Sequence, residues 1–313
     1  FKRDLRVFDH PALTRAAALG AVVPCFIIEP DYWALPDTSA RQWAMTAEAL
    51  VDLRDQLGQI GAPLVVRTGD AVEVLDRLCK RHGVTRIVSH QETGNAWSYA
   101  RDLRVAAWAR DRGMIWDEVQ ASGVRRGAAA VRRDLFMAEP LLDAPQIKAV
   151  AGLEAGPIPR QLRLADDPCP YRQIGGRGQA LALMDSFRGG RLMGYARGMS
   201  SPLTAERACS RLSPHLALGA VSLREVVQAF PRAQPFQARL AWRDHFIQKL
   251  ERQPDIETLC LQASAEDLGR GVDGLAGDRG LARCGRTPAP HRRAPLLRNR
   301  RAAQPAEPEG LPV

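Results

Sequence analysis

The chain has 313 residues, 45% apolar and 25% charged, with a formal net charge of +9. That length admits two domains and that composition a buried core, while no apolar run reaches the roughly 18 residues of a membrane span and no secretory leader is visible. The basic balance suits a polyanionic partner, but residues 269–313 hold nine Arg against four acids and so carry +5 of the +9. The cysteines (Cys25, Cys79, Cys169, Cys209, Cys260, Cys284) are scattered without a Cys-x-x-Cys pair. This argues against a zinc site or a disulfide framework and for a reducing cytoplasm. The first residue is Phe1 rather than Met, so the true start is expected upstream.

In chain order, residues 21–30 form a continuous apolar run, as in a strand buried on both faces. Met45, Ala49, Leu50, Leu53 and Leu57 then recur at helical spacing over 41–58. Residues 63–69 read as a strand ended by Gly69, and Asp70 is placed to N-cap a helix over 71–82. A strand at 84–91, a helix at 95–112 and a strand at 114–119 follow. Alternation of this kind predicts an α/β fold, a doubly wound, Rossmann-like parallel sheet. Ligands of such sheets lie at the carboxyl ends of the strands. The loops there are Glu29-Pro30-Asp31, Thr68-Gly69-Asp70 and 90–94. Residues 120–180, rich in Gly and Pro, read as a long connection. Beyond 180 the pattern is helical: roughly 178–188, a short helix after Ser213, one capped by Ser222 with Glu225 completing a capping box, and a longer one over 236–252.

Two segments carry chemistry. In Cys209-Ser210-Arg211-Leu212-Ser213-Pro214, Pro214 suits the first position of a helix with Ser213 as its cap. A helix start with Ser210 and Arg211 beside it favours an anion. Taken alone, the same residues describe an ordinary capped helix better. In Arg239-Leu240-Ala241-Trp242-Arg243-Asp244, an indole beside a guanidinium suits an unstacked base. A core Trp with a solvated Arg pair is the alternative.

Taken together with the opening Phe1-Lys2-Arg3-Asp4-Leu5-Arg6 and Asp9-His10-Pro11-Ala12-Leu13, these segments resemble, in order, the DNA photolyase/cryptochrome family. The resemblance covers residues 1–120 and about 175–260. It implies an α/β antenna domain (1–125), an interdomain connection (126–175) and the start of an all-α FAD-binding domain (176–262). It further implies FAD contacts at Tyr195, Ser210, Leu212 and Ser213, with Arg211 and Phe236 as neighbours, and Trp242 and Arg243 facing a flipped-out lesion. The implied cofactors are FAD and an antenna chromophore of folate or deazaflavin type. The implied partner is DNA containing UV lesions, bound by a monomer without metal. The implied reaction is light-driven splitting of pyrimidine dimers by electron transfer from reduced FAD. No catalytic residue is assigned.

Two departures bear on activity. Cys209 stands where the family often has Thr, and Arg239 where it often has a Glu that serves dimer repair. A cryptochrome-like photoreceptor and an inactive fragment are therefore the competing readings. After Leu261 the likeness decays. Residues 263–313, rich in Arg, Ala and Pro, lack a core-forming pattern and are expected to be disordered, with a shift of reading frame as the explanation.

Overall fold

A computed structural model describes residues 1–126 and 133–259. The expectation for 263–313 lies outside the described residues. Helix α1 (Pro11–Leu19) leads into β1 (Cys25–Ile28), the short α2 (Pro30–Trp33), α3 (Ala40–Gln59), β2 (Val65–Thr68) and α4 (Ala71–His82). Then come β3 (Arg86–His90), α5 (Ala96–Asp111) and β4 (Ile115–Val119). Every pairing between these strands is parallel. The strands do not form one continuous sheet: β1 pairs with β2 and β3 with β4, and no ladder joins β1 to β3.

Side-chain alternation explains why both faces of β1 and β2 are covered. Phe26, Ile28 and Val66 enter the larger core with Trp43, Leu50, Leu53 and Leu57 of α3. Cys25, Ile27 and Val65 turn the other way, onto Val74 and Leu78 of α4. The amphipathic spacing read in α3 is thus the face laid on the sheet. Asp70 Oδ1 accepts from the backbone N–H groups of Val72 (2.9 Å) and Glu73 (3.3 Å), and Gly83 closes α4 in the left-handed conformation, both as the residue types dictate.

The connection after β4 is not free of the body. It holds α6 (Arg133–Ala138), and its backbone is then fixed by long-range bonds: Ile147 N–H to Ile60 O (2.8 Å) and Val66 N–H to Ala155 O (2.6 Å). At its end, Arg172 clamps Glu48 with both terminal nitrogens (2.8 and 2.6 Å), and Arg177 N–H reaches Asp52 (2.7 Å). The unpatterned stretch is therefore laid along α3 rather than crossing open space.

The helical part comprises α7 (Arg177–Ser186), a π turn (Phe187–Arg191), α8 (Leu192–Gly198), α9 (Ala205–Ala208), α10 (Ser213–Leu218), α11 (Leu223–Ala229) and α12 (Gln234–Arg252), with a 3-10 turn at Pro254–Glu257. The helix expected to stop near 188 instead runs on through the π turn. Arg191, at the end of the π turn, donates to Leu183 O (3.0 Å) of α7 and to Cys209 O (2.5 Å) after α9, tying the turn to both helices. The core is aromatic: Phe187, Tyr195, Phe230 and Phe236 meet edge to face at centroid distances of 4.9–5.5 Å.

Two expected caps are corrected. Ser222 Oγ accepts from Glu225 N–H (2.9 Å), but the Glu225 carboxylate turns to Arg177 (2.7 Å), so only half of the capping box forms. Ser213 is the first residue of α10 and Leu212 its N-cap, with no side-chain cap bond. The serine that serves this turn is Ser210, whose Oγ accepts from Leu212 N–H at 3.4 Å.

The N-terminal segment joins the two parts. Leu5 N–H bonds Leu218 O (3.0 Å) and Arg6 donates to Gly219 O (3.0 Å). Gly219 has φ +70 and lies against the backbone of Arg3 and Asp4, where a Cβ has no room. The buried Asp9 carboxylate receives Ser222 Oγ (2.5 Å) and the Arg224 guanidinium of α11.

Candidate functional site

At the carboxyl ends of β1 and β3, the loops expected to receive a ligand are closed by a charge network. Arg101 of α5 binds Glu29 (2.5 Å), Glu92 and Asp102 (2.8 Å), and all four residues are buried. Lys2 (3.2 Å) and Arg126 (2.9 Å) add their charge at Asp102. Burial raises the Glu29 carboxyl to about 7, Arg101 working against it and Glu92 with it. Burial likewise opposes ionisation of Asp102, yet Lys2 and Arg101 hold it below the ordinary range. The loops at this end of the strands are thus tied together by buried ion pairs.

Beside it lies a buried trio, Asp4, His10 and His90, whose ligand-type atoms fall within 4.8 Å of one another. His90 Nδ1 lies 2.7 Å and His10 Nε2 3.1 Å from the same Asp4 oxygen. The other ring nitrogens accept from the start of α1: Leu13 N–H to His10 Nδ1 (2.9 Å) and Ala12 N–H to His90 Nε2 (3.4 Å). A neutral imidazole has one lone pair. Both are used by the helix, so His90 turns its N–H to Asp4, His10 Nε2 lies beside the same oxygen without a well-aligned bond, and the trio caps the helix rather than offering a metal-ligand set. Burial and the neighbouring His90 press His10 down to about 3. Asp4 is held well below the carboxylate range, because its two imidazole partners outweigh burial. Sequence reading passed over the pair: His10 and His90 are 80 residues apart, and only the β3–α1 contact joins them.

These groups carry opposite pH dependences. His10, with a folded value near 3 and an unfolded one near 6.5, loses stability as pH falls from 6.5. Glu29, near 7 folded and 4.5 unfolded, loses stability as pH rises from 4.5 to 7. Each amounts to about 2 kcal/mol between pH 7 and pH 5, and the two oppose each other. Burial lowers His90 as well, which adds to the loss at low pH. In urea titrations Glu29→Gln is expected to lose about 2 kcal/mol more than the parent between pH 7 and pH 5. A Glu29→Gln protein with the same pH dependence as its parent contradicts this.

Among the positions expected to hold FAD, Tyr195, Leu212 and Phe236 are buried. Tyr195 and Phe236 pack at 5.5 Å within the aromatic core. Ser210, Arg211 and Ser213 make a polar corner at the start of α10. Arg211 adopts φ +62 and its guanidinium reaches Glu206 (2.9 Å). A cavity of about 720 Å³ opens nearby beside Arg191, Arg197, Arg207 and Thr204, but none of the six expected residues lines it. A flavin needs enclosure on several sides. The described residues supply a corner and a packed core, and by themselves they do not fit the cofactor.

The other expected pair is divided by the helix. Trp242 is 55% exposed and neighbours the exposed Phe246, their rings 6.3 Å apart. The cation on the Trp242 ring is that of Arg239, 4.4 Å from its centroid. Arg243 instead turns toward a cleft of about 580 Å³ that Lys2, Arg3 and Arg6 also line, and it donates to Leu216 O at 3.4 Å. Burial lowers its pKa. Successive helix residues lie about 100° apart, so the pair read as neighbours in sequence cannot share a face.

Parallel strands clad by helices on both sides, a helical part that contains a Ser-Arg-Leu-Ser-Pro turn, and an exposed Trp backed by Arg define a two-part α/β and all-α protein. Residues 1–130 match the family model described as DNA photolyase. The chain is 29% identical over 282 residues to the deoxyribodipyrimidine photo-lyase of Streptomyces griseus, covering 82% of this chain and 60% of that protein. It is 26% identical over 298 residues to the cryptochrome DASH of Natronomonas pharaonis, covering 80% and 61%. The fold is that of a bacterial class III photolyase from Agrobacterium tumefaciens, with a TM-score of 0.68 at 23% identity, covering 85% of this chain and 61% of that one. The archaeal photolyase from Sulfolobus tokodaii, whose structure holds two FAD molecules, superposes with a TM-score of 0.67 at 22% identity, covering 85% and 62%. The chain is thus similar to photolyases and cryptochromes, and it spans about 60% of the length of the curated relatives named here.

Proposed function

We propose that this chain carries the antenna-type α/β domain and the first helices of a photolyase-family flavoprotein that binds UV-damaged DNA and, with FAD held by a complete helical domain, repairs it in light. The observation behind this reading is the exposed Arg239–Trp242–Phe246 face of α12, an indole with a guanidinium over its ring and a second aromatic one turn on. Such a platform stacks an unpaired base, each aromatic contact contributing about 1–3 kcal/mol. Arg243, Lys2, Arg3 and Arg6 border the adjoining cleft, which Asp4, Asp37, Glu92 and Glu257 also line, so the stacking face and not the cleft's charge carries the reading.

Binding of fluorescent DNA, UV-irradiated and untreated, by the full chain tests it. The expected result is tighter binding of irradiated DNA, weakened at least about tenfold by Trp242→Ala. Equal affinity for both DNAs, or no loss on Trp242→Ala, refutes the reading. An absorption spectrum before and after adding FAD tests the cofactor separately. The described residues do not enclose a flavin, so little bound flavin is expected from this chain.

A second reading rests on the sequence: Arg239 stands where the family it resembles often has a Glu that serves dimer repair. That reading is a cryptochrome-like photoreceptor, for which damage-dependent DNA binding would be absent.

A further inference from the structure

The cavity of about 720 Å³ at the π turn has the size of a small-molecule site, for which roughly 300–1,000 Å³ is usual. Three guanidiniums line it, those of Arg191, Arg197 and Arg207, and no acid does. The crossing of α8 and α9 brings two of them together. Gly198 of α8 lies so near Ala208 of α9 that a Cβ on it would stand 2.5 Å from the alanine methyl, and Thr204 Oγ1 donates to Gly198 O at 2.9 Å. Arg197 and Arg207 each precede one member of that touching pair, and both border the same cavity. Among the described residues no carboxylate answers their charge: Glu206 takes Arg211 (2.9 Å) and Asp185 takes Arg188 (3.1 Å). Arg191 gives its terminal nitrogens to Leu183 O and Cys209 O, and its Nε is buried without a partner. Burial and the like charge of Arg211 lower its pKa. Uncompensated positive charge around a concave surface draws anions.

The rest of the lining lacks a structural reason. Gly189 and Gly190 lie in the π turn and Gly194 in α8, where glycine is the least favourable residue after proline. None of the three has a positive φ, and a Cβ at each would meet nothing within 4 Å. Neither backbone conformation nor packing therefore calls for glycine here. What the missing side chains leave is bare backbone bordering a cavity, which lets a ligand approach closely. A π turn within a helical run points the same way, since such turns gather at functional sites.

We propose that this cavity binds the phosphate groups of a phosphorylated small molecule, Arg197 and Arg207 pairing with the oxygens over the bare backbone at Gly190 and Gly194. Guanidinium forks match the geometry of phosphate oxygens and hold them in pairs of charge-assisted bonds. The site shares no residue with the Arg239–Trp242–Phe246 face or with the positions expected to hold FAD. A nucleic-acid backbone carries the same phosphate chemistry, but a cavity of this volume suits a molecule of nucleotide size.

The test is calorimetric titration of the full chain with inorganic pyrophosphate, guanosine diphosphate and undamaged duplex DNA. Guanosine avoids the adenine that FAD carries. The chain is compared with its Arg197→Gln/Arg207→Gln and Gly194→Leu variants. Pyrophosphate and guanosine diphosphate are expected to bind saturably, and both variants to weaken them at least about tenfold. Gly194→Leu is expected at the same time to raise Tm by about 3 °C, because leucine favours a helix and its Cβ meets open space. No saturable binding of either phosphate compound, or binding that neither variant changes, would overturn the proposal. So would a loss of affinity confined to duplex DNA, which would give the arginines to a nucleic-acid backbone. A fall in Tm for Gly194→Leu would also overturn it, by making that glycine structural.

Discussion

Replacing Asp9 with Asn is expected to cost about 3 kcal/mol in urea unfolding, the scale of removing one partner of a buried ion pair. Asn keeps the size of the side chain and tolerates the left-handed backbone at this residue, φ +47, so the loss isolates the charge. Arg224 has 3% of its side chain exposed and would keep only Glu139, at 2.8 Å, as an ionic partner. Ser222 Oγ would lose its carboxylate acceptor, and the anchor of α11 with it. Burial opposes ionisation of Asp9, but Arg224 and Ser222 hold its pKa below the usual value. The Asp9→Asn, Arg224→Met and double variants form a cycle. The double variant should lose much less than the sum of the singles, because each single strands the other group. A cost below about 1 kcal/mol for Asp9→Asn would show that the pair does not hold the N-terminal segment to the helices.

Arg101→Met is expected to be as damaging, about 3–5 kcal/mol at pH 7. One guanidinium neutralises Glu29, Glu92 and Asp102, whose side chains are 9%, 7% and 4% exposed. Without it the buried acids repel one another and take up protons more readily. An acid whose folded pKa is raised destabilises the fold as pH rises. The deficit of Arg101→Met should therefore shrink on going from pH 7 to pH 5, whereas a loss of packing alone would leave it unchanged. Urea titrations at the two pH values distinguish these outcomes.

The sequence by itself determined every strand and the long helices of the α/β half, because those elements depend on local pattern. The apolar run at 21–30 contains Cys25–Ile28, the spacing over 41–58 lies within Ala40–Gln59, and the Asp70 cap opens Ala71–His82. It also carried the resemblance to photolyases, which the family model matches over residues 1–130. Short elements without periodicity, such as α2 and α6, and the π turn at Phe187–Arg191 were not legible, since contacts distant in sequence stabilise them.

Only the tertiary structure decided what the candidate residues do. Helix geometry put Trp242 and Arg243 on different faces and gave the Trp a different cation, Arg239. Packing sent Tyr195 and Phe236 into an aromatic core. Folding brought His10 and His90 to one Asp4 oxygen, and Glu29 and Glu92 to one guanidinium. It also showed that the predicted parallel sheet is split between β1 and β3. Pattern records which face of a strand is apolar, but backbone edges are identical in every sequence, so which edge finds a partner is settled only when the strands meet.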